Sequence, residues 1–449
     1  MQKNIAIILA GGKGERFGNP TPKQFIKLAG KSIIEYTIKA FESHDLIDSI
    51  IIVSREGYVD KIWEIAQNND IKKIDKVITG GESRFDSTLA AINALHDQDD
   101  TTKILLHDAV RPLIDEETIT KTLQALDSYN AVDTAIDATD TIIEVDENAH
   151  ITNIPDRNYM KRGQTPQGFR LGTLKKAYSL AISQNKKNFT CDCGVVKNIL
   201  PDEEIYVVKS NEKNLKITRK IDLFIAEKYI QMGADLIFKE TSLRNLKGKK
   251  IVVFGSSSGI GKEIMEIAKE YGAQVFGASR KNGVDITNKN QVFDFLQSID
   301  GDIDIVINTA AILIRKPFEL TSYKEIHEII NINYIGAINV SYAAKRFLDK
   351  TGGMLIHFTS SSYTRGRANY ALYSSTKAAI VNLTQALSEE WDNIKVNCIN
   401  PERTKTPMRE KNFGKEPPNT LLSAKAVAQK TLQIALTDYS GMIVDIKNS

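Results

Sequence analysis

An apolar strand leads straight into a glycine-rich loop in the segment Ile251-Val-Val-Phe-Gly-Ser-Ser-Ser-Gly-Ile-Gly261. The apolar residues before the loop predict a buried strand, and the glycines predict a tight turn that opens a helix. Gly255, Gly259 and Gly261 would let a phosphate group come close to the first turn of that helix, where backbone N–H groups attract anions. The segment therefore predicts a dinucleotide-binding βαβ unit in the second half of the chain.

A second glycine-rich loop follows the first predicted strand of the chain and reads Ala10-Gly-Gly-Lys-Gly-Glu-Arg-Phe-Gly18. It lacks the third glycine of a dinucleotide-binding loop, because Phe17 stands at that position. Lys13, Arg16 and, further on, Lys23 supply positive charge that suits a triphosphate. Taken alone, this loop could equally be a plain glycine turn with solvated cations.

Strands and helices alternate after both loops. The predicted strands lie at 5–10, 49–54, 76–79, 103–107, 251–254, 274–278, 304–307, 354–358 and 394–399, and the helices of the first half lie at 32–41, 59–68 and 84–95. Such alternation is typical of a parallel sheet covered by helices on both faces. An apolar helix at 223–238 and a polar stretch after it separate the halves. We therefore predict an α/β chain of two Rossmann-like, doubly wound domains at 1–238 and 248–449, joined by a linker at 239–247.

The composition of the chain is that of a globular protein, with a net charge of only +3 over 449 residues. So small a charge gives no reason to expect a nucleic-acid partner, and no apolar run approaches the roughly 18–20 residues that a membrane helix needs. Three cysteines cannot form a disulfide framework and suit a reducing compartment. We expect a cytoplasmic protein that binds neither nucleic acid nor membranes.

The second half carries a tyrosine and a lysine, Tyr373 and Lys377, at i and i+4 and hence on one face of a helix. An ammonium beside a phenol favours the phenolate, and so does the positive charge of a bound nicotinamide. We therefore expect both charges to lower the pKa of Tyr373 and to make the phenol usable as an acid or base. Ser360 ends a predicted strand and could donate to a substrate carbonyl. The nearby Tyr370 is not a second candidate, because the residue four positions later is Ser374 and not a lysine. Alone, a Tyr-x-x-x-Lys pair is common on protein surfaces.

With the glycine loop, these residues make positions 247–449 similar to the short-chain dehydrogenase/reductase family. The resemblance implies catalysis by Ser360, Tyr373 and Lys377 together with Asn333, which would hold a water of the proton relay. It implies NADPH as the cofactor, because a basic residue after the second strand suits a 2′-phosphate, although two exposed cations would look the same. The cofactor-binding residues that it implies are Gly255, Ser257, Ser258, Gly259, Ile260, Gly261, Arg280, Asp285, Asn308, Ala310, Tyr373 and Lys377.

Seven separated motifs make residues 1–235 similar to the methylerythritol-phosphate and ribitol-phosphate cytidylyltransferase family. They are Ala10-Gly-Gly-x-Gly-x-Arg16, Pro22-Lys-Gln24, Gly80-Gly-x-x-Arg-x-x-Ser87, His107-Asp-Ala-Val-Arg-Pro112, Asp140-Thr141, Thr165-Pro-Gln167 and Lys216-Ile-Thr-Arg219. The resemblance implies that Arg16, Lys23 and Lys216 stabilise the reacting α-phosphate, with Mg²⁺ at Asp108. The CTP-binding residues that it implies are Ala10, Gly11, Gly12, Lys13, Gly14, Gly80, Gly81, Arg84, Ser87, Asp108 and Ala109, and those for the acceptor phosphate are Arg111, Thr141, Arg157 and Thr165.

One segment departs from the methylerythritol-phosphate pattern. Thr190-Cys-Asp-Cys193 stands where those enzymes usually carry Thr-Asp-Glu/Asp, which favours the ribitol-phosphate branch. Two thiols without a matching second pair are a weak metal signal. We therefore expect Cys191 and Cys193 to be ordinary packed thiols.

The order of the two halves resembles the family of bifunctional ribulose-5-phosphate reductases/ribitol-5-phosphate cytidylyltransferases of bacterial capsule synthesis. The resemblance implies a pentulose phosphate, a pentitol phosphate and CTP as substrates, and a homodimer. The candidates for the ketose phosphate are Arg365, Arg367 and Arg403, in a basic segment that also contains Lys405 and Arg409. A solvated basic lid, a different polyol-phosphate acceptor, and a second domain that binds NADPH without catalysis are the open alternatives.

Overall fold

The computed structural model describes residues 3–12, 21–232, 241–417 and 420–447. The chain folds into two compact units, Met1–Ala226 and Glu227–Ser449. Our more detailed division, with a linker at 239–247, stays a prediction, because 239 and 240 lie outside the described residues. So does the end of the helix that we placed at 223–238, which is described from Lys220 to Met232.

The first unit is built around one large sheet. The strands of the first unit are β1 (Asn4–Ala10), β2 (Lys27–Leu28), β3 (Lys31–Ser32), β4 (Ser49–Ser54), β5 (Ile74–Thr79), β6 (Lys103–Asp108), β7 (Ala131–Asp137), β8 (Glu144–Val145), β9 (Ile151–Asn153), β10 (Lys161–Gly163), β11 (Gln167–Arg170) and β12 (Ile205–Lys209). Strands β2 and β3, and likewise β8 and β9, form small sheets of their own. Its helices are α1 (Ile33–Glu42), α2 (Val59–Asn68), α3 (Arg84–Ala94), α4 (Glu116–Ala125), α5 (Leu171–Ser183), α6 (Asp192–Ile199) and α7 (Lys220–Met232), which runs into the second unit.

The strand order in this sheet is β10-β7-β11-β6-β1-β4-β5, and β12 pairs with β7. Strands β6, β1, β4 and β5 are parallel, as the alternation of elements predicts. The purely parallel sheet is a prediction that fails beyond them, because β11 runs antiparallel to β6 and β7, and β10 runs antiparallel to β7. These antiparallel strands, β10 and β11, have three and four residues, too few for a periodic signal.

Both faces of this sheet are buried. On β1, Ile5 and Ile7 pack into one core with Phe85 and Tyr178, whereas Ile8 packs into the core on the other side. Side chains of a strand point alternately to its two faces, so a strand buried on both sides needs the continuous apolar run that β1 shows.

The second unit contains a six-stranded sheet in the order β14-β13-β15-β16-β17-β20, with every pair parallel. The strands of the second unit are β13 (Lys250–Phe254), β14 (Gln274–Ala278), β15 (Ile305–Asn308), β16 (Met354–Phe358), β17 (Lys395–Pro401), β18 (Thr404–Lys405), β19 (Leu422–Ser423) and β20 (Ile443–Ile446), of which β18 and β19 form a separate two-stranded sheet. Its further helices are α8 (Gly259–Glu270), α9 (Lys289–Gln297), α10 (Tyr323–Ile330), α11 (Gly336–Leu348), α12 (Ala371–Glu390), α13 (Pro407–Phe413) and α14 (Ala424–Ile434).

The strand order of each unit reverses beside its first strand. In the first unit β1 lies between β6 and β4, and in the second β13 lies between β15 and β14. Ligands of open α/β sheets bind at such a switch point, outside the carboxyl ends of the strands. Both glycine-rich loops begin there. Among the described residues, no helix is both long and apolar enough to cross a membrane.

Candidate active sites

A cavity of about 480 Å³ opens at the carboxyl ends of β1 and β6 in the first unit. The predicted residues that line it are Ala10, Gly11, Gly12, Lys23, Gly81, Arg84, Ser87, Asp108, Ala109 and Lys216. Gly80 lies just behind the wall, since a Cβ on it would come within 2.7 Å of the Ser87 hydroxyl. The structure thus brings together most of the residues that we assigned to CTP.

Other predicted residues of this site lie elsewhere or outside the described chain. Lys13, Gly14 and Arg16 belong to the segment 13–20, of which nothing is described. Thr141 and Arg157 are exposed and do not line the cavity. The Arg157 guanidinium donates to the Thr139 carbonyl at 3.2 Å. The acceptor role of Thr141 and Arg157 stays a prediction.

Asp108, at the end of β6, lies among three cations. Its carboxylate is 2.6 Å from Arg84 Nη1, 3.0 Å from Lys216 Nζ and 3.4 Å from Arg111 Nε. Burial alone would raise the pKa of Asp108, but the three cations, Arg84 foremost, hold that pKa well below its usual range. Asp108 is therefore an ionised carboxylate on the cavity wall at any ordinary pH.

Thr165 holds the end of β6 in place from behind the cavity. Its hydroxyl accepts from the Asp108 N–H at 3.1 Å and contacts His107 Nδ1 at 3.1 Å. His107 is fully buried, and desolvation lowers its pKa to about 4, so the ring is neutral. Arg111 is fixed nearby, because its Nη1 donates to the Asn214 carbonyl at 2.8 Å.

Gln24 fixes the entrance of the first glycine loop and was missed by our sequence analysis. Its buried amide donates to the Ala10 carbonyl at 2.6 Å. The neighbouring Lys23 donates from Nζ to the Ile217 carbonyl at 3.1 Å. The motif that contains both residues was recognised, but only its lysine was interpreted, because a cation suggests a phosphate and an amide does not.

Asp192 was the second residue that the sequence analysis missed. It begins α6 and is completely buried, yet its carboxylate accepts from Arg84 Nε at 3.0 Å and from Arg84 Nη2 at 2.7 Å. The thiols beside it act within the fold. Cys191 caps α6 by accepting from the Gly194 N–H at 3.3 Å, and Cys193 is buried.

In the second unit the glycine loop packs tightly against the end of β15. Gly255 has a φ of +84°, and a Cβ on it would lie 2.6 Å from the Thr309 hydroxyl. A Cβ on Gly261 would lie 2.5 Å from the Gly255 carbonyl oxygen. The Thr309 hydroxyl itself donates to the Phe254 carbonyl at 2.9 Å. Only glycine fits these positions, and the loop keeps its backbone open at the start of α8.

The remaining predicted cofactor residues surround this loop. Ser258 is the N-cap residue of α8, Ser257 precedes it, and Ile260 lies in the first turn of the helix. Asn308 is buried, and its side chain accepts from the Ala310 N–H at 3.2 Å. Arg280 follows β14 in an exposed turn, and Asp285 accepts from the Thr287 N–H at 2.9 Å. All of these predicted cofactor residues thus lie at or near the carboxyl ends of β13, β14 and β15.

Tyr373 and Lys377 lie on α12, and Ser360 is close enough to Tyr373 to lower its pKa. Lys377 Nζ lies 5.6 Å from the centre of the Tyr373 ring but donates to the Phe358 carbonyl at 2.8 Å. Our expectation of a lowered tyrosine pKa is wrong for this arrangement. Burial raises the pKa of Tyr373 to about 12, against the opposing effect of Ser360, and burial lowers that of Lys377 to about 8.

Asn333 lies in a π-helical turn between α10 and α11. Its side-chain oxygen accepts from the Ile312 N–H at 2.8 Å, and its amide nitrogen donates to the Ile312 carbonyl at 2.9 Å. The same nitrogen donates to the Thr376 hydroxyl on α12 at 3.3 Å, so Asn333 fastens the loop after β15 beside that helix. That Asn333 also holds a water of a proton relay stays a prediction.

A cluster of rings and guanidinium groups lies next to Tyr373, where α13 packs over it. The Tyr370 ring is 6.2 Å from the Tyr373 ring and 6.0 Å from the Phe413 ring. Arg409 and Arg315 lie over Phe413 at 4.4 and 5.0 Å. Arg409 also lowers the pKa of Tyr373 electrostatically, although burial dominates that pKa. The predicted ketose-phosphate candidates are all exposed; they are Arg365, Arg367 and Arg403.

Comparison with known proteins gives matches to both units. Residues 4–232 match the 2-C-methyl-D-erythritol 4-phosphate cytidylyltransferase family, and residues 245–437 match the family described as enoyl-(acyl carrier protein) reductase. The chain is 48% identical to the bifunctional ribulose 5-phosphate reductase/CDP-ribitol pyrophosphorylase of Haemophilus influenzae, over 99% of this chain and 96% of that protein.

Two further relatives match the first unit. The 2-C-methyl-D-erythritol 4-phosphate cytidylyltransferase of Thermobifida fusca (strain YX) is 38% identical, over 51% of this chain and 93% of that protein. The crystal structure of 4-diphosphocytidyl-2C-methyl-D-erythritolsynthase from Anaerococcus prevotii DSM 20548 is 29% identical with a TM-score of 0.46, over 51% of this chain and 99% of that one.

The fold and the two sites define a bifunctional enzyme, in which a cytidylyltransferase unit precedes a short-chain reductase unit. The sequence identity to the Haemophilus protein extends through both units in the same order. The chain belongs to the family of bifunctional ribulose 5-phosphate reductase/CDP-ribitol pyrophosphorylases. This confirms the predicted fold class and the family resemblance on which our functional expectations depend.

Proposed function

We propose that the chain makes CDP-ribitol from D-ribulose 5-phosphate in two steps. NADPH reduces the ketose phosphate to D-ribitol 5-phosphate, and CTP then transfers its cytidylyl group to that phosphate with release of pyrophosphate. The observation that carries this proposal is the 48% identity over 99% of the chain to a protein whose name gives both activities. Two separate sites of suitable chemistry, each at a switch point of its sheet, support it.

In the reductase unit, we assign proton donation to Tyr373. When bound, the dihydronicotinamide supplies a hydride to C2 of the ketose. The Ser360 hydroxyl, which lies near Tyr373, would orient the carbonyl oxygen. Tyr373 would then give its proton to the new alkoxide. Lys377 would take part in restoring that proton, because burial lowers its pKa to about 8 and so makes the ammonium a usable proton source.

The preference for NADPH over NADH is assigned to Arg280, which would pair with the 2′-phosphate. The glycine loop fits such a cofactor, since Gly255 and Gly261 pack too closely against neighbouring backbone to carry side chains, and a loop without side chains lets a phosphate approach its N–H groups. Replacing Arg280 with serine is expected to raise the KM for NADPH about 10- to 100-fold, the effect of losing a charged hydrogen bond, and to leave NADH turnover unchanged. Initial rates with each cofactor measure this.

Lys281→Ser is the matched control for that prediction, because it removes the next cation of the same exposed turn. It should leave the KM for NADPH close to that of the wild type. Equal effects of the two substitutions would show that the turn attracts the cofactor through general charge and that Arg280 makes no specific contact.

In the cytidylyltransferase unit the reaction needs no general base, because a phosphate monoester is already an anionic nucleophile. The attacking oxygen of the acceptor bonds to the α-phosphorus of CTP while the bond to the β-phosphate oxygen breaks. The task is to bring two polyanions together, and cations perform it. We assign Lys23 and Lys216, on the cavity wall, and Arg16, outside the described residues, to the α-phosphate.

Mg²⁺ fits this cavity on chemical grounds. The described residues contain no cluster of three or more His, Cys, Asp or Glu side chains that could hold a metal. Mg²⁺ commonly binds through one or two carboxylates together with substrate phosphates, and Asp108 offers an ionised carboxylate on the wall. The metal would neutralise charge on the triphosphate. Arg111 and Thr165 lie behind Asp108 and do not line the cavity, so their assignment to the acceptor phosphate stays a prediction.

The ketose phosphate would bind at the lid formed by α13, and among the basic residues of this region we favour Arg409. Its charge acts on the pKa of Tyr373, and its guanidinium pairs with Glu416 through two bonds of 2.6 and 2.8 Å. The two guanidinium nitrogens that hold this carboxylate have the spacing to hold two phosphate oxygens in its place. The secondary candidates are Arg365, Arg367 and Arg403.

Arg409→Ala is expected to raise the KM for ribulose 5-phosphate about 10- to 100-fold, with a smaller change in kcat. Glu416→Gln is the matched control, since it breaks the same ion pair but keeps the guanidinium, and it should not raise that KM. Steady-state rates of NADPH oxidation measure both. If Arg409→Ala has the wild-type KM and Arg365→Ala or Arg403→Ala raises the KM, the phosphate is bound by that arginine and not by Arg409.

A coupled assay tests the function as a whole. It contains the purified chain, ribulose 5-phosphate, NADPH, CTP and Mg²⁺, and follows NADPH absorbance and CDP-polyol by mass spectrometry. We expect NADPH loss to be matched by formation of a CDP-pentitol. NADPH loss without a CDP product would favour another acceptor, such as methylerythritol phosphate. CDP-ribitol formed only from supplied ribitol phosphate would favour a second unit without catalysis.

We further propose a cytoplasmic homodimer that acts only on small molecules. The location is supported by the reduced state expected of three cysteines, none of which is paired in the described structure. The dimer rests on family resemblance alone. Analytical ultracentrifugation of the purified chain measures its mass in solution, and a mass of one chain would contradict the dimer.

A further inference from the structure

The carboxylate of Asp192 is buried and fully engaged by donors. One oxygen, Oδ2, accepts twice from Arg84, and the other, Oδ1, accepts from the Thr88 hydroxyl at 2.8 Å and from the Tyr178 hydroxyl at 2.7 Å. Asp192, Thr88 and Tyr178 are each at most 1% exposed. A buried carboxylate with four donated hydrogen bonds has no freedom to rotate without leaving one of the donors unsatisfied.

The backbone around Asp192 is fixed as well. The N–H groups of Asp192 and Cys193 donate to Gln167 Oε1 at 3.0 and 3.3 Å, and Gln167 Nε2 donates to Asp133 at 2.9 Å. The start of α6 is therefore tied to β11 and β7 in the sheet. Asp192 is a rigid point of the fold and not a mobile group of the cavity.

Arg84 joins this rigid point to the cavity. Its Nε and Nη2 face Asp192, whereas Nη1 reaches Asp108 at 2.6 Å on the cavity wall. The two carboxylates raise the pKa of Arg84 far above its usual value against the opposing effect of burial, so the guanidinium is always charged. Two guanidinium nitrogens are thus bound to Asp192 inside the fold, and the third is paired with Asp108 where both side chains line the cavity.

We propose that Asp192 is a positioning residue for cytidylyl transfer, which holds Arg84 by one edge so that its Nη1 edge stays aimed at the bound nucleotide. Without Asp192, Asp108 would be the one carboxylate still holding Arg84, and the guanidinium would be free to turn about that single contact and lose its orientation. This inference rests on the proposed function of the first unit. It adds a role for a residue that lies between two cysteines in the segment Thr190-Cys-Asp-Cys193.

The test is a double-mutant cycle on the full chain with Asp192→Asn and Arg84→Ala. Asp192→Asn is expected to lower kcat/KM for CTP about 10- to 100-fold, as expected for loss of a charged hydrogen bond. When Arg84→Ala is already present, Asp192→Asn should change kcat/KM by less than about 2-fold, because a residue that acts through Arg84 has nothing left to position. Independent effects that multiply in the double variant would overturn the proposal.

Tyr178→Phe is the matched variant for the cycle. It removes a donor to Oδ1 and leaves both bonds between Oδ2 and Arg84, so kcat/KM should stay within about 3-fold of the wild type. If Asp192→Asn fails to fold by near-ultraviolet circular dichroism, Thr88→Val combined with Tyr178→Phe replaces it. That pair frees Oδ1, and its effect must likewise disappear when Arg84→Ala is present.

Calorimetric binding of CTP gives a readout that does not depend on turnover. A wild-type chain that bound CTP but transferred no cytidylyl group to ribitol 5-phosphate would contradict the proposed function. The inference would still be decided, because Asp192→Asn should weaken CTP binding in a chain that keeps Arg84 and leave it unchanged in a chain that carries Arg84→Ala. Unchanged CTP affinity in the Asp192→Asn single variant would overturn the positioning role.

Discussion

Replacing Tyr373 with phenylalanine is expected to lower kcat for ketose reduction by about 10²- to 10⁴-fold, the usual contribution of a positioned general acid. The ring would keep its place, because Tyr370 packs against its edge at 6.2 Å and Lys377 lies against it at 5.6 Å. Only the hydroxyl, whose pKa is affected by Ser360, is lost. The measurement is NADPH oxidation under saturating ribulose 5-phosphate.

Two controls accompany this variant. Cytidylyl transfer to supplied ribitol 5-phosphate should be unchanged, because Tyr373 belongs to the other unit. Tyr370→Phe should keep most of the reductase activity, since it loses a hydroxyl of the neighbouring ring while its ring contacts remain. Wild-type reduction by Tyr373→Phe would exclude the phenol as the acid and point to water or Ser360.

Replacing Lys216 with methionine is expected to lower kcat for cytidylyl transfer by about 10²- to 10³-fold, as removal of one group that stabilises developing negative charge does. Lys216 lines the cavity and is held 3.0 Å from Asp108. Methionine keeps most of the side-chain length but carries no charge. The measurement is pyrophosphate release from CTP and ribitol 5-phosphate.

Lys213→Met is the control for this prediction, because Lys213 is an exposed lysine of the same loop that does not line the cavity. It should behave like the wild type. If Lys216→Met also behaves like the wild type, Lys216 only balances the charge of Asp108 and the α-phosphate relies on Lys23 and the segment 13–20. Ketose reduction should be unaffected by both variants.

The elements that the sequence predicts well are those whose signal is local. Strands β1 and β13 are continuous apolar runs that end in glycine loops, and both were located to within one residue. Gly11, Gly12, Gly81, Asp108 and Lys216 were assigned to the first site from motifs with fixed spacing, and all five line the cavity. Local spacing also placed Tyr373 and Lys377 on one helix.

What the sequence does not predict depends on contacts between distant residues. Asp192 reaches Arg84 across 108 positions, and no periodicity links the two. Arg315 meets Phe413 in the same way. The pKa of Tyr373 was misjudged because spacing does not show that the phenol is buried, which raises that pKa, or that the Lys377 ammonium donates to the Phe358 carbonyl.

The three cations around Asp108 have a consequence for how the enzyme responds to ionic strength. The Asp108 carboxylate neutralises part of the charge of Arg84, Arg111 and Lys216, so an arriving nucleotide meets a weaker positive field than three unpaired cations would produce. Long-range attraction, which salt screens, is thus smaller than three bare cations would produce. We therefore expect nucleotide affinity at this site to fall less with added salt than it would at three unpaired cations.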